Sequence, residues 1–306
     1  EVIYDQLLDL YLAHKEAGGD RSSFLKKAAA LPGIYVPSLY EPRYREDGTL
    51  ASFEPLCPEA PASVRRLVMS VLDRADFIDT PLVPFIRVTQ DRSVLELMRG
   101  CIRGCRFCQA GNVYRPQREH SVEYLKRYAE KLLKITGNEE ISLSSLSSSD
   151  YSRLQEFLEY LIQYTKERKI NISLPSLRID AFSLDVMQRI QDVKKSSLTF
   201  APEAGTQRLR DVINKGITEE DIMRGVSSAF HGGWTKVKFY FMLGLPTETE
   251  EDRKGIPDLC ERVADLFYDE IPKSERVGRV QISASSSFFV PKPFTPFQWA
   301  PMCSAE

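Results

Sequence analysis

Between residues 93 and 285, short apolar segments alternate with segments of helical periodicity. The six strand-like segments begin roughly 30 to 45 residues apart, which leaves room for a helical crossover between parallel strands. This alternation predicts an α/β fold in which helices cover a parallel sheet. Six units are two short of a complete eight-stranded barrel, so we predict an open, partial (β/α)6 TIM-like barrel, with a doubly wound sheet as the alternative. Either fold gathers ligands at the carboxyl ends of its strands.

Apolar periodicity and capping residues set the expected elements. The predicted strands are 94–98, 141–146, 170–174, 197–201, 236–242 and 279–285. The predicted helices between them are 122–135, 153–167, 184–191, 206–213, one that begins after Thr218, and 250–267. Residues 1–80 are predicted to form a mainly helical extension with two short helices, a hairpin or ordered loop, and a third helix over 64–72. Residues 81–300 then form the core domain and 301–306 a tail.

Composition excludes several classes of protein. Apolar residues make up 42% of the chain and charged residues 27%, so the chain is not expected to be intrinsically disordered. A net charge of −2 gives no global basic field for nucleic acid or anionic membranes. The longest apolar run, 239–245, is too short to span a bilayer, and no secretory signal is apparent, so we predict a cytoplasmic protein. The chain begins at Glu1 rather than methionine, which we interpret as a fragment or processed chain.

Three of the six cysteines are close together, with the spacing C-x3-C-x2-C, directly after the first predicted strand. They are Cys101, Cys105 and Cys108. Three thiolates on one turning loop can hold three corners of an iron–sulfur cubane and leave the fourth iron open. A structural zinc site, with His120 or a remote cysteine as fourth ligand, is one alternative, and chance clustering of buried cysteines is another. The remaining cysteines, Cys57, Cys260 and Cys303, show no metal-binding spacing, which argues against a second cluster.

The cysteine loop, with an aromatic residue before its last cysteine, resembles that of the radical S-adenosylmethionine (radical SAM) enzymes. The resemblance extends over about residues 93–300. It implies a partial barrel of the radical SAM type and a 4Fe–4S cluster held by Cys101, Cys105 and Cys108. It also implies that SAM chelates the fourth iron and that Phe107 lies beside the SAM adenine.

Further segments match the family at the ends of later strands and imply SAM contacts. The serines Ser145 and Ser147 stand where the family has a small polar motif for the SAM amino group. Arg178 would hold the SAM carboxylate, although a surface arginine is the alternative. Glu203 would accept hydrogen bonds from ribose hydroxyls, or would act only as a carboxylate at a helix N-terminus. Gly244 opens the turn 244–249, whose backbone would lie near the adenine.

Arginines crowd the cysteine loop at positions 99, 103, 106, 115 and 118. A cationic mouth suits the SAM carboxylate and a phosphate-bearing substrate. The alternative, which the near-zero net charge favours, is that these arginines offset a negatively charged cluster and pair with Glu96 and Glu119.

Residues 96–117, 147–151 and 291–299 resemble one uncharacterised bacterial subfamily that carries a cobalamin-binding-type domain upstream of the radical SAM domain. The segment 1–80 resembles the link after that domain. The subfamily has His-Asp-Arg before its first strand, whereas this chain has Gln90, Asp91 and Arg92. A role for that histidine therefore does not carry over.

The resemblance predicts an enzyme that reductively cleaves SAM to a 5′-deoxyadenosyl radical, which abstracts hydrogen from an unknown substrate. Cobalamin-dependent methyl transfer is an open outcome for the full-length protein, and rearrangement and sulfur insertion are others. The expected partners are SAM, the unknown substrate and an electron donor such as flavodoxin or ferredoxin, with no membrane. The rival hypothesis is a zinc-stabilised module that binds RNA or protein.

Overall fold

The structure is a computed structural model that describes residues 3–74, 80–86, 88–175, 178–181, 198–276 and 278–303. The chain divides into two compact units, Glu1–Val71 and Leu72–Glu306. No helix in the described part of the chain is both long enough and apolar enough to cross a bilayer.

The first unit consists of two helices followed by a hairpin. Its elements are α1 (Tyr4–Glu16), α2 (Arg21–Ala29), β1 (Tyr40–Tyr44) and β2 (Leu50–Pro55), and the two strands pair antiparallel. Asp20 caps α2, because its carboxylate accepts a hydrogen bond from the Ser23 backbone amide at 2.7 Å. The two short helices and the hairpin are present as predicted, but most of the unit lies outside helices, so it is not mainly helical.

The helix predicted over 64–72 is wrong. No residue from 64 to 71 is helical, and only a short 3-10 turn, Leu72–Arg74, follows. The segment instead packs against Gly33, where an added Cβ would lie 2.8 Å from the Leu67 Cγ atom. Its valines have low helix propensity, and this tertiary contact outweighs the apolar spacing that suggested a helix.

The second unit alternates strands and helices. Its strands are β3 (Ser93–Glu96), β4 (Met98–Arg99), β5 (Arg118–Glu119), β6 (Glu140–Ser144), β7 (Asn171–Ser173), β8 (Leu198–Glu203), β9 (Lys236–Leu243) and β10 (Gln281–Phe288). Its helices are α3 (Gln109–Val113), α4 (Val122–Thr136), α5 (Leu154–Lys166), α6 (Gln207–Val212), α7 (Glu219–His231) and α8 (Glu250–Glu270). The predicted helix 184–191 lies outside the described residues.

The six long strands form two parallel sheets, ordered β3-β6-β7 and β8-β9-β10, so each sheet follows the order of the chain. In the described residues they do not close into a complete barrel, which confirms the predicted open α/β architecture. The short strands β4 and β5 pair antiparallel and flank the cysteine loop.

One apolar core lies between the sheets and their helices. Alternate strand residues such as Leu95, Phe200 and Phe239 are buried in the same cluster as Phe157 and Val263 of the helices. Four helices of this unit begin at a Ser or Thr whose hydroxyl accepts a backbone hydrogen bond; the caps are Ser121, Thr206, Thr218 and Thr249. Because the strands of each sheet run parallel, their carboxyl ends lie at the same edge of the sheet, and the candidate site is built from the loops that follow them.

Candidate functional site

The cysteine loop runs from the end of β4 to the start of α3. All three of its cysteines are free and half-buried. Backbone amides point at two of the sulfurs, since Arg103 N lies 3.4 Å from Cys101 Sγ and Gly111 N lies 3.3 Å from Cys108 Sγ. Amide dipoles aimed at sulfur would stabilise the negative charge of a thiolate that is bound to iron.

Gly100 allows the loop to turn directly after β4. Its φ is +87°, and an added Cβ would lie 2.6 Å from the Tyr114 carbonyl oxygen and 2.9 Å from that of Pro116. Both neighbours are backbone atoms, so only glycine fits this position without moving the loop.

A lysine absent from the sequence predictions lies beside the loop. Lys215 Nζ is 3.1 Å from Glu203 Oε1 and 6.0 Å from the centre of the Phe107 ring. Burial raises the pKa of the Cys105 thiol, and the positive charge of Lys215 opposes that effect. The structure therefore brings together Cys105, Phe107 and Glu203 around a cation that follows α6.

The segment that carries this lysine also grips the cysteine loop. Asn214 Nδ2 donates to the Gly104 carbonyl at 2.8 Å, and the Arg106 amide donates to the Ile213 carbonyl at 2.9 Å. The Arg106 guanidinium adds a 2.6 Å hydrogen bond to the Val212 carbonyl. These contacts join chain segments more than 100 residues apart, so spacing along the sequence does not reveal them.

Glu203 ends β8 with a φ of +70°, a conformation that is strained for a residue other than glycine. The turn after it is held by Arg210, whose side chain is fully buried. Arg210 Nη1 donates to the carbonyls of Ala204 at 3.0 Å and Gly205 at 3.3 Å. In the structure the Glu203 carboxylate accepts a hydrogen bond from Lys215 Nζ at 3.1 Å.

The serine stretch after β6 is ordered and packed. The hydroxyls of Ser145 and Ser148 lie 2.9 Å apart, and Ser148 donates to the Pro175 carbonyl at 2.9 Å. Ser147 is 3% exposed. Asp150 closes the stretch and accepts a 2.9 Å hydrogen bond from Arg103 Nε of the cysteine loop.

Asp150 is ionised in this pair. Burial pushes its pKa up, but the hydrogen bonds from Arg103 and the positive charges of Arg103 and Arg178 outweigh that effect, so the pKa lies below its usual value. The bidentate contact fixes the loop after β4 to the loop after β6.

Arg178 is buried rather than at the surface, with 9% exposure. Its Nε and Nη2 atoms each lie 3.0 Å from an Asp180 carboxylate oxygen, and Nη2 also donates to the carbonyls of Lys215 at 3.3 Å and Gly216 at 3.1 Å. The guanidinium thus connects the segment after β7 to the segment after α6. Of the other arginines near the loop, Arg99 pairs with Glu96 at 2.8 Å.

Gly244 begins the turn after β9 with a φ of +76°. Its amide donates to the Glu248 carboxylate at 3.0 Å, and an added Cβ would lie 2.8 Å from Cys303 Sγ. The next residue, Leu245, belongs to a small buried cluster against which Phe107 packs. The cysteine loop and the Gly244 turn therefore adjoin the same apolar patch.

His120, considered as a fourth zinc ligand, is buried and makes a hydrogen bond with Asp73. It is 2% exposed, its Nδ1 lies 3.0 Å from Asp73 Oδ1, and burial lowers its pKa. In the described ranges, no three His, Cys, Asp or Glu side chains converge as the ligands of a single metal ion would. A cubane needs no such convergence, because each cysteine binds a different iron. The three thiols on a glycine-supported loop therefore fit a cluster better than a zinc ion.

A family model described as "Radical SAM superfamily" matches residues 95–260, which is more than half of the chain. The match contains the cysteine loop, the carboxyl ends of the strands from β3 to β9, and the Gly244 turn.

Two curated relatives come from archaea. An uncharacterized protein of Methanocaldococcus jannaschii is 36% identical over 205 residues, which are 67% of this chain and 42% of that protein. An uncharacterized methyltransferase of Pyrococcus horikoshii is 26% identical over 245 residues, 74% of this chain and 47% of that protein. The chain thus spans less than half the length of these relatives.

A solved structure of a radical S-adenosylmethionine methyltransferase, TsrM of Kitasatospora setae, with cobalamin and a [4Fe-4S] cluster bound, has a similar fold. The TM-score is 0.50 at 14% identity, over 67% of this chain and 38% of that chain. At this identity the likeness supports the barrel-type fold alone.

Proposed function

Because the chain belongs to the radical SAM superfamily, whose members use a 4Fe–4S cluster and SAM, we propose that Cys101, Cys105 and Cys108 hold that cluster here. The observation that carries the proposal is the set of hydrogen bonds that fix the cysteine loop to two other segments. Asn214 and Arg106 hold it to the segment after α6, and Arg103 holds it to Asp150. A loop braced on two sides would hold its three cysteines in a fixed conformation for a cluster.

When bound, the reduced cluster supplies one electron that cleaves SAM into methionine and a 5′-deoxyadenosyl radical. The protein's own part is to bind, orient and shield these groups. Lys215 offsets negative charge beside Cys105, which favours the thiolate. Amides of Arg103 and Gly111 add partial positive charge at the other two sulfurs.

We assign the SAM contacts to the side chains at the same edge. Phe107 and the backbone around Gly244 would flank the adenine, since both adjoin one apolar patch. Glu203 would accept hydrogen bonds from the ribose hydroxyls, with Lys215 holding its carboxylate in place. Ser145 and Ser147 would receive the amino group of SAM. Arg178 already binds Asp180 and two carbonyls, so we propose that it orients the segment around Lys215 as well as attracting the SAM carboxylate.

The test compares Cys105→Ala with Cys260→Ala, a matched control in which a half-buried cysteine of α8 is removed. After anaerobic reconstitution, the wild type and the control should be brown and should form 5′-deoxyadenosine from SAM under a strong reductant. Cys105→Ala should lose most of its iron and the cleavage activity, because two thiolates hold a cubane poorly. Full iron content and cleavage in Cys105→Ala would refute the assignment. A colourless wild type with one zinc per chain would support the zinc-stabilised module instead.

For a full-length protein of the size of these relatives, we propose cobalamin-dependent methyl transfer as the specific reaction. The name of the Pyrococcus horikoshii relative, a methyltransferase, supports this assignment. The test incubates the full-length protein, reconstituted as above, with SAM, cobalamin and a cell extract that supplies the substrate. The products then distinguish methyl transfer from hydrogen abstraction alone. Methyl transfer from SAM leaves S-adenosylhomocysteine, whereas hydrogen abstraction alone leaves 5′-deoxyadenosine and methionine. A product mixture without S-adenosylhomocysteine would contradict methyl transfer and leave radical cleavage in place.

A further inference from the structure

The two faces of the sheet β8-β9-β10 differ sharply in chemistry. Successive strand residues point to opposite faces. On β8 and β9 the residues Leu198, Phe200, Val237, Phe239 and Phe241 are buried in the core against the helices. The alternate residues form the other face, which we call the inner face. The inner face consists of Thr199, Ala201, Lys236, Lys238, Tyr240, Met242, Gln281, Ser283, Ser285 and Ser287.

This composition is unusual for a barrel interior. Closed (β/α)8 barrels fill their interior with layers of branched apolar side chains. Here hydroxyls and two ammonium groups occupy the equivalent positions, and none of the ten inner-face residues is acidic. A polar, positively charged inner face suits a bound polar molecule better than a packed core.

One cross-strand row concentrates this chemistry. In the parallel register Lys238 stands between Thr199 of β8 and Ser283 of β10. Neighbouring strands are about 4.8 Å apart, so the two hydroxyls flank the base of the lysine side chain. The Lys238 ammonium lies 4.6 Å from the centre of the Tyr240 ring, and Tyr240 is two residues nearer the carboxyl end of β9. The ammonium therefore leans toward the edge where Glu203 and Gly244 lie.

Within the described part of the chain, neither lysine of the inner face forms a salt bridge. Among the described residues, the salt bridges formed by lysines involve Lys215 and Lys254 but not Lys236 or Lys238. Lys238 is half-buried, so its charge is only partly solvated. A half-buried ammonium group beside an aromatic ring, with two hydroxyls near the base of its side chain, is suited to bind an oxyanion.

We propose that the row Thr199, Lys238 and Ser283 binds an oxyanionic group, phosphate or carboxylate, of the enzyme's substrate. The proposal rests on the proposed function, because it places the substrate on the barrel face below the SAM contacts. Glu203 pairs in register with Phe241, three residues after Lys238, so the row lies about 10 Å below the level of Glu203.

The test titrates the reconstituted full chain with inorganic phosphate and, separately, with succinate at low ionic strength, by calorimetry. Lys238→Gln should raise the dissociation constant of the recognised anion by about tenfold or more. Lys238→Arg should retain most of the binding, because the charge remains. Lys254→Gln is the matched control, since Lys254 pairs with Glu250 on the exposed face of α8, and should bind like the wild type. Loss of phosphate binding alone identifies a phosphate-bearing substrate, and loss of both anions identifies a general oxyanion site.

Equal affinities in the wild type and Lys238→Gln, or an equal loss in Lys254→Gln, would overturn the inference. SAM cleavage is measured on the same wild-type preparation. If the wild type cleaves SAM but its anion binding does not depend on Lys238, only the substrate inference fails. If anion binding depends on Lys238 in a protein that assembles no cluster, the proposed function fails and the anion site remains.

Discussion

Asp252 links the two turns that flank the candidate SAM site, and its ionisation is expected to stabilise both. It is the third residue of α8 and is 2% exposed. Its carboxylate accepts hydrogen bonds from Arg208 and Thr206 after β8, and from the Thr249 amide at 2.8 Å after β9. Asp252→Asn removes the negative charge that these donors share while keeping the shape of the side chain.

The size of the effect follows from the pKa of this carboxyl group. Burial acts to raise it, but hydrogen bonds from Arg208, Thr206 and Thr249 outweigh burial and lower the pKa from 3.8 to about 2. Because the folded-state pKa lies below the unfolded-state value, the stabilisation is fully present above pH 3.8 and disappears as the pH falls through about 2. The shift corresponds to about 2 kcal/mol of unfolding free energy at neutral pH, of which about half remains at pH 3.

The assay is urea unfolding of the wild type, Asp252→Asn and Asp258→Asn, followed through the fluorescence of the buried Trp234. Asp258 lies on the exposed side of the same helix, so its variant controls for the loss of a negative charge. At pH 6 the Asp252→Asn variant should be less stable by about 2 kcal/mol, or about 4–8 °C in melting temperature. The difference in unfolding free energy between the wild type and Asp252→Asn should fall to about half at pH 3. A gap that is constant with pH, or equal in Asp258→Asn, would refute the ionic explanation.

Two further predictions concern the β8 turn. Glu203→Ala should weaken SAM binding by about 1.5–3 kcal/mol in calorimetric titration and leave the iron content intact, because the carboxylate is a hydrogen-bond acceptor and not a cluster ligand; unchanged SAM affinity with a lowered melting point would assign it a structural role only. Gly205→Ala should lower the unfolding free energy by about 1–3 kcal/mol, because the new Cβ would lie 2.4 Å from the Ile256 amide nitrogen and must push α8 away; a wild-type melting temperature would show that the turn and helix are less tightly packed.

Most of the fold was predictable because it depends on local periodicity. The helix predicted over 122–135 is Val122–Thr136, and the strand predicted over 236–242 is Lys236–Leu243. Apolar alternation and Ser or Thr caps act within a few residues, so the sequence displays them directly. The segment 64–72 failed because its conformation depends on a distant partner, the space beside Gly33. An apolar spacing cannot show whether a segment is helical or is packed as an extended chain.

The candidate site was predictable only in part, for the same reason. The cysteine spacing is local and pointed to a metal loop, whose role as the cluster site stays a prediction. Lys215 and Asn214 reach the loop across more than 100 residues, and nothing in their spacing pairs them with it. One signal was present. Asn214 and Gly216 both adopt positive φ, at +53° and +63°, and an Asn-x-Gly sequence after a helix is typical of a tight turn at the residue between them. The spacing alone indicates only that a helix ends at Gly216, and it does not assign Lys215 to the site.

The segment 212–216 connects the parts of the site that different strands contribute. It binds the cysteine loop through Asn214, the end of β8 through Lys215, and the segment after β7 through the carbonyls that Arg178 contacts. Arg103 adds the loop after β6 through Asp150. Hydrogen bonds and ion pairs within the chain thus hold together the loops that follow four strands. Less conformational entropy is then lost when a cofactor binds, because the loops that would contact it are already in place. On the proposed assignment, this bracing would let three half-buried thiols on an irregular loop present a constant geometry to a cluster, although the bracing residues lie far from the cysteines in sequence.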